Sequence, residues 1–305
     1  MRIHQRLSAF LSICLLALLL GLQADPAQAH GKTNVEPKIG ILLVTFGTSV
    51  PEARKAYATI ESKVKAAYPG VELRWAYTSR QIRHKVATEE GLRNASPAGA
   101  LGRMLDDGFT HVAVQSLHVI PGQEFNDLTA IVAAFGSMPK SFERIVLGPP
   151  LLSGPEAMQA LAKAVLASVP GLGNREALVL VGHGTHHLAS AFYPAMQYYL
   201  QQESERAFVG TIESSPSMQD VLADLAKRKI AKAYLVPFLT VAGDHARNDI
   251  AGNEPDSWKS QLKAKGIACQ PVMRGLAEDP AVVDIWVDQL GLSLKALRDE
   301  PKDNG

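Results

Sequence analysis

Short apolar runs alternate with amphipathic segments along most of the chain. Runs that are apolar throughout are typical of strands buried on both faces of a parallel sheet, and the segments between them have the spacing of helices. This alternation predicts an α/β, doubly wound fold. The predicted strands are residues 39–45, 73–77, 112–115, 145–147, 177–181, 208–212, 233–237 and 268–272.

Several of the predicted helices have recognisable first residues. Ser96 and Asp279 each precede a proline, which is the pattern of a capping residue followed by proline at the first helical position. Ser217 and Asp220 have the spacing of a capping box, with Asp in place of the usual Glu. We therefore predict helices that begin at residues 97, 218 and 280.

The two halves of the chain resemble each other. The sequence ILLVTFGTSVPEA from residue 41 parallels LVLVGHGTHHLAS from residue 178, and SLHVIPGQEFND from residue 116 parallels PFLTVAGDHARN from residue 237. This internal repeat predicts two similar lobes, residues 30–160 and 161–305, with the ligand site in the cleft between them. The alignment places these residues opposite one another: Phe46 and His183, Thr78 and Glu213, Gly122 and Gly243, Glu124 and His245.

The first 29 residues have the regions of a secretory signal peptide. Arg2 and Arg6 form a basic start, residues 7–22 form an apolar stretch, and the small-x-small sequence AQA ends at Ala29. The stretch is short for a membrane span and is followed by a cleavage site. We therefore predict a cleaved signal and a periplasmic protein with no membrane span; a retained anchor is the alternative.

Charge and cysteine content exclude two classes of protein. Cleavage would lower Lys+Arg from 31 to 29 and Asp+Glu from 30 to 29, so the remaining chain is formally neutral. A nucleic-acid partner, which favours a basic face, is not expected. Cys269 would be the only cysteine left, so no internal disulfide can form and the core must hold the fold together.

Three polar residues follow three predicted strands of the second half. His183, Glu213 and His245 come after the runs that end at residues 181, 212 and 237. Because parallel strands end at one edge of a sheet, these side chains should converge there. Two imidazoles and a carboxylate suit a divalent ion such as cobalt, nickel, iron or zinc, and they can also accept protons. Each residue taken singly could equally be a solvated loop residue.

The neighbouring histidines and glycines have weaker interpretations. His183 and His187 are four residues apart, but Gly184 and the strand exit argue against a helical zinc pair there, and the Glu of a metalloprotease motif is missing. His186 and His187 are expected to be solvated loop or helix-start residues; a substrate contact or a helper metal site is the alternative. The Gly-x-Gly lacks the third glycine of a dinucleotide fingerprint, and we expect it to keep a turn tight beside a flat ligand.

The matching edge of the first half carries His118 and Glu124. Both should face the cleft, where we consider them candidate substrate contacts, and His118 could also help to remove protons. A satisfied histidine at the end of a strand is the alternative for His118.

These motifs resemble those of a known family. The sequences LLVTFGTSVPEAR, SLHVIPGQEFNDL, LVGHGTHH, TIES and VPFLTVAGDHARNDIAG are similar to the anaerobic-type sirohydrochlorin cobaltochelatases, the CbiK family of class II chelatases, from about residue 38 to about residue 297. The resemblance implies two flavodoxin-like lobes around a tetrapyrrole cleft. It also implies that His183, Glu213 and His245 are the metal-binding and catalytic residues.

The implied reaction is ATP-independent insertion of Co2+, with Fe2+ as a second candidate metal, into sirohydrochlorin in cobalamin- or siroheme-type metabolism, with release of two protons. Because this substrate is a polycarboxylate, cationic side chains should line the rim of the cleft. Five cationic residues lie near predicted strand ends or the following helices: Arg54, Arg80, Arg83, Lys85 and Arg247. Most of them are expected to be solvated surface charges, but any that face the cleft could pair with substrate carboxylates.

The predicted export signal leaves a second function open. Tetrapyrrole synthesis is normally cytoplasmic, so an exported protein of this fold could instead bind or transport metal, tetrapyrrole or haem in the periplasm. His84, His111 or His118 could ligate a haem at a subunit contact of a homo-oligomer.

Overall fold

Two parallel four-stranded sheets form the frame of the protein. The computed structural model describes residues 36–299 except residue 170, and from Pro37 onward these residues form one compact unit. The N-terminal sheet has the order β2-β1-β3-β4, and the C-terminal sheet repeats it as β6-β5-β7-β8. The α/β prediction is confirmed. The strands are β1 (Ile39–Thr45), β2 (Glu72–Tyr77), β3 (His111–Ser116), β4 (Arg144–Gly148), β5 (Glu176–Gly182), β6 (Ala207–Thr211), β7 (Lys232–Pro237) and β8 (Ala268–Pro271).

Helices connect the strands, as a parallel sheet requires. Three short helical turns accompany them: 3-10 turns at Leu188–Ala191 and Leu276–Glu278, and a π-helical turn at Ala246–Ile250. The α-helices are α1 (Pro51–Arg54), α2 (Ala56–Ala67), α3 (Arg80–Glu90), α4 (Pro97–Asp106), α5 (Gln123–Ser137), α6 (Pro155–Ala167), α7 (Phe192–Glu203), α8 (Met218–Lys227), α9 (Trp258–Ala264) and α10 (Pro280–Arg298).

The predicted helix starts are confirmed by their caps. The Ser96 hydroxyl accepts a hydrogen bond from the Gly99 N–H at the start of α4, and the Asp279 side chain caps α10. Ser217 and Asp220 form a reciprocal capping box at α8. Each such cap satisfies backbone donors that the first helical turn leaves free.

A shared core lies between the two sheets. Ile41 of β1, Leu180 of β5 and Trp286 of α10 belong to one cluster of buried side chains that spans both halves. Leu42 and Val179 point to the opposite faces of their sheets, into two separate cores. Both faces of each sheet are thus buried, which is why the strands are apolar throughout.

The last helix crosses back to the first sheet. α10 packs against β3 and β4 of the N-terminal sheet and against α2, although it follows the C-terminal sheet in sequence. The division into lobes at residues 160 and 161 stays a prediction, because the described residues cluster as one unit.

The repeat between the two sheets extends to the loops at their carboxyl ends. The Ser79 N–H donates to the Phe46 carbonyl (3.1 Å), and the Glu213 N–H donates to the His183 carbonyl (2.9 Å). Phe46 and His183 are therefore equivalent, as predicted. The equivalence of Thr78 and Glu213 is wrong by one residue, and Ser79 takes that place. The reason is that the apolar run of the sixth strand extends one residue beyond the end of β6, whereas β2 ends with its run.

Among the described residues, no helix is both long enough and apolar enough to cross a membrane. The predicted signal peptide lies outside the described residues.

Candidate metal-binding and catalytic site

A cleft of about 640 Å³ lies at the carboxyl ends of the two sheets. Phe46, His118 and Glu124 line it from the N-terminal half, and His183 and His245 line it from the C-terminal half. The cleft is where a doubly wound fold normally binds its ligand.

His183 leaves β5 through a turn that depends on glycine. Gly184 has φ of 88°, and a β-carbon there would lie 2.8 Å from the Ser214 backbone nitrogen. The Gly184 N–H donates to the Tyr193 hydroxyl (3.2 Å), and a β-carbon at Gly182 would meet the Tyr193 ring at 2.4 Å. Both glycines are thus needed for close packing of the strand exit, which holds the His183 side chain at the cleft.

The two histidines of the predicted trio meet in the cleft. The Nε2 atoms of His183 and His245 are 3.1 Å apart, and the rings are nearly perpendicular, with centroids 4.4 Å apart. Two imidazole nitrogens that ligate one ion at about 2.0–2.1 Å lie roughly 3 Å apart when they are neighbouring ligands. The spacing of the pair therefore fits two ligands of a single ion.

The opposite nitrogens of both rings face acceptors. The His183 Nδ1 lies 3.0 Å from the Gly184 carbonyl oxygen, and the His245 Nδ1 lies 2.8 Å from Oδ2 of Asp249. A carbonyl and an ionised carboxylate can only accept, so each Nδ1 donates when these bonds form. Both Nε2 atoms, 3.1 Å apart, then carry the free lone pairs, and one proton or metal cation can be shared by the two rings.

Glu213 lies beside His183 but on the other side of its ring. Its Oε2 is 3.6 Å from the His183 Nδ1, and both side chains are partly exposed, at 48% and 39%. Within residues 36–299 apart from 170, no group of three or more His, Cys, Asp or Glu side chains is already placed to hold a metal ion. The structure thus brings the predicted trio together, with the carboxylate facing the outer nitrogen of His183 instead of the histidine pair.

His118 is a buried histidine of the N-terminal edge, by which we mean the edge of the N-terminal sheet where its strands end. Its Nδ1 lies 2.9 Å from the Ser116 hydroxyl oxygen and its Nε2 3.4 Å from the Thr78 hydroxyl oxygen. Burial penalises the charged ring and lowers the pKa of His118 from 6.5 to about 4. His118 is therefore a neutral imidazole near neutral pH.

Glu124 lies in the first turn of α5 and lines the cleft, as predicted. Gly122, the N-cap of that helix, offers no side-chain cap. A carboxylate in the first turn interacts favourably with the helix dipole, so Glu124 has a structural role besides any contact with substrate.

The two neighbouring histidines differ from each other. His186 is exposed at the cleft. His187 is the N-cap of the 3-10 turn, where its Nδ1 accepts from the Ala189 N–H (3.1 Å), and its Nε2 lies 3.0 Å from the Asn126 side-chain nitrogen. His187 thus lies at a helix start, as expected. Its contact with Asn126 links the two halves across the cleft.

The candidate cations lie elsewhere. In the described part of the chain, none of the five arginines and lysines named above is among the residues that line the cleft. Arg54 pairs with Glu90, and Arg247 lies 3.5 Å from Glu52. These five side chains thus do not line the cleft itself, and Arg54 and Arg247 face carboxylates of the protein.

Two contacts of the site were not found from the sequence. Asp249 binds the His245 ring, and Tyr193 binds the turn beside His183. The spacing of four residues between His245 and Asp249 was the available signal for the first. Nothing in the sequence identifies Tyr193, which comes from a helix that packs behind the turn.

The fold is similar to that of the sirohydrochlorin chelatase SirB, known from solved structures. The structure matches SirB from Bacillus subtilis, solved with Fe3+, at a TM-score of 0.57 and 17% sequence identity, over 84% of this chain and 95% of that one. At this identity, the likeness concerns the fold alone.

Sequence comparison gives the family. The sequence model of the cobalt chelatase CbiK matches residues 39–294. The sirohydrochlorin cobaltochelatase CbiKC of Nitratidesulfovibrio vulgaris is 39% identical, over 86% of this chain and 93% of the relative. The sirohydrochlorin cobaltochelatase of Salmonella typhimurium is 33% identical, over 86% and 99%. The chain belongs to the CbiK cobalt chelatase family, as its motifs predicted.

Proposed function

We propose that the protein inserts Co2+ into sirohydrochlorin, with His183 and His245 as ligands of the incoming ion. The observation that carries the proposal is the pair of Nε2 atoms 3.1 Å apart at the cleft of a CbiK-family chain. Both curated relatives are named sirohydrochlorin cobaltochelatase, and the chain covers nearly their full length.

The cleft suits a flat macrocycle. Its lining is largely apolar, with Phe46 and Ile120 among the residues that would contact the ring, and with hydroxyls such as that of Thr240. The substrate carboxylates would reach beyond the lining to backbone N–H groups and to solvent, since the cleft offers no Lys or Arg in the described part of the chain.

The reaction exchanges one metal ion for two protons. Co2+ loses other ligands as the pyrrole nitrogens bind it, and the two pyrrole N–H protons must leave. His183 and His245 would hold the ion at the macrocycle, and His183 would accept the two pyrrole protons one after the other as its nitrogen is released from the metal. Glu213, 3.6 Å from the outer nitrogen of His183, would pass each proton toward solvent and offset the charge of the ion.

The cellular site is a separate proposal. The basic start, apolar stretch and AQA sequence of residues 1–29 support export and a periplasmic mature protein. Fractionation of cells that produce the full chain, with N-terminal sequencing of the protein, tests this. A mature start at His30 in the periplasmic fraction is expected; an intact Met1 in the cytoplasm would contradict it.

Fe2+ as an alternative metal, a bound haem, a homo-oligomer and a carrier function stay predictions. The names of the two relatives given above both specify cobalt. Co2+ insertion is therefore the function that we propose.

Absorption spectroscopy of purified protein with sirohydrochlorin and Co2+, under anaerobic conditions, tests the function directly. We expect metallation well above the rate without protein, and we expect His183→Ala and His245→Ala each to remove most of it with the fold retained. The matched control is His84→Ala, on the exposed face of α3. No acceleration by the wild-type protein would refute the function, and near-normal rates in both variants would refute the roles assigned to the histidines.

A further inference from the structure

Asp249 is a carboxylate that the reaction described above does not use. Its Oδ2 lies 2.8 Å from Nδ1 of His245, on the side of the ring that faces away from His183. We propose that Asp249 is a positioning residue that holds His245 in the tautomer with a free Nε2 lone pair; this rests on the proposed role of His245 as a metal ligand.

The local backbone explains why Asp249 reaches His245. The Ala251 N–H donates to the Ala246 carbonyl five residues earlier (3.0 Å), so the chain forms a wide π-helical turn here. A β-carbon at Gly252 would lie 2.0 Å from the Asn248 carbonyl oxygen, so only glycine can end the turn in this way. Turns of this kind occur frequently at functional sites.

The chemistry of the contact selects one tautomer of His245. An ionised carboxylate has no proton to donate, so the His245 Nδ1 must carry the hydrogen of this bond. In the neutral ring, the lone pair is then on Nε2, the atom that faces His183. A ring with its proton on Nε2 would offer the metal no lone pair at that position.

The two histidines are held with unequal strength. Asp249 provides a charged acceptor for His245, whereas the His183 Nδ1 lies 3.0 Å from a neutral acceptor, the Gly184 carbonyl. Hydrogen bonds to ionised acceptors are roughly twice as strong as those between neutral groups. His245 is therefore the ligand with the fixed tautomer. His183 is the ligand that can exchange the proton between its two nitrogens during the reaction.

Direct binding of Co2+ in the absence of sirohydrochlorin, measured by titration calorimetry, tests the proposal apart from catalysis. We expect Asp249→Ala to weaken Co2+ binding roughly 10–100-fold, the usual effect of losing a partner of a metal-ligating histidine. Asp249→Glu should restore part of the affinity. Asp256→Asn is the control for the lost charge, because Asp256 is an exposed acid close by in sequence.

Nitrogen NMR of 15N-labelled, metal-free protein reads the tautomer itself. We expect the His245 Nδ1 to be protonated in the wild-type protein, and the Nε2-protonated form to increase in Asp249→Ala while circular dichroism stays unchanged. In turnover assays, the same variant should raise the Co2+ concentration for half-maximal rate more than it raises that for sirohydrochlorin.

Co2+ affinity within about twofold of wild type in Asp249→Ala, or an unchanged His245 tautomer, would overturn the positioning role. These readouts do not need turnover. A wild-type protein that binds Co2+ through a correctly oriented His245 but does not metallate sirohydrochlorin would refute the proposed function and leave the role of Asp249 intact.

Discussion

At the end of β1, the chain passes through Phe46 and then Gly47, which has φ of 102°. At the end of β5, it passes through His183 and then Gly184, which has φ of 88°. The loop after the next strand of each sheet, through Ser79 or Glu213, donates a backbone hydrogen bond to the carbonyl of Phe46 or His183. Two edges with the same backbone therefore carry an exposed aromatic ring in one case and a candidate metal ligand in the other.

The loops after β3 and β7 extend the comparison. The carbonyl of His118 accepts from the Leu151 N–H (2.9 Å), and the carbonyl of Leu239 accepts from the Leu276 N–H (2.9 Å), so His118 and Leu239 are equivalent. The N-terminal edge holds a buried, neutral imidazole where the C-terminal edge holds leucine. The repeated backbone thus sets where a side chain can lie, and a few substitutions distinguish the edge that carries the candidate metal ligands.

The largest effect should come from making the C-terminal edge resemble the N-terminal one. His183→Phe copies Phe46 into the equivalent backbone, so the fold should survive while a ligand and proton acceptor is lost. We expect kcat/KM for Co2+ insertion to fall roughly 10²–10⁴-fold, measured by anaerobic absorption spectroscopy. Less than a fivefold loss would mean that the two edges do not differ in the way proposed.

The two glycines should respond unequally to alanine. A β-carbon at Gly184 meets a backbone nitrogen at 2.8 Å, whereas at Gly47 the nearest atoms are side-chain carbons of Ile82 and Tyr77 at 3.3 Å. We expect Gly184→Ala to lower the free energy of unfolding by about 3 kcal/mol, and Gly47→Ala by about 1–2 kcal/mol, the cost of a left-handed residue. Urea denaturation measures both. Equal losses would argue against the backbone contact.

His118 should make stability depend on pH. Its pKa of about 4 in the folded protein lies below the ordinary 6.5, so the unfolded chain binds more protons between these values. The free energy of unfolding should therefore fall as the pH falls, by roughly 2 kcal/mol from pH 7 to pH 5 through this group alone.

His118→Leu, which copies Leu239, should remove that contribution, and His118→Gln serves if the leucine variant does not fold. His84→Gln is the control at an exposed position. Urea denaturation at both pH values reads the difference. The same pH dependence in wild type and in the His118 variants would contradict the buried neutral imidazole.

The smallest effect should come from Glu213→Ser, which copies Ser79. Glu213 lies near the outer nitrogen of His183, so it would act on protons that have already left the tetrapyrrole. We expect kcat to fall about 10-fold, less than for a group that acts directly on the reacting proton. A loss of activity as large as that of His183→Phe would instead indicate that Glu213 is a ligand of the metal.

The sequence predicted the elements that depend on local patterns. Apolar runs located all eight strands of the described residues, and the strand ends brought His183 and His245 to one edge. It failed where tertiary contacts decide. The apolar run around β6 extends one residue past the end of the strand, so the alignment placed Thr78 opposite Glu213, where Ser79 belongs. The contact between Asp249 and His245 was missed although the residues are four apart, because it is made within a π-helical turn.

X-ray absorption of the Co2+-loaded protein tests the central claim most directly, because it reads the ligands of the metal without turnover. The account predicts two imidazole nitrogens at about 2.1 Å in the wild-type protein, and their loss in the double variant His183→Phe, His245→Ala. A wild-type spectrum without imidazole scattering, or one that the double variant leaves unchanged, would contradict it.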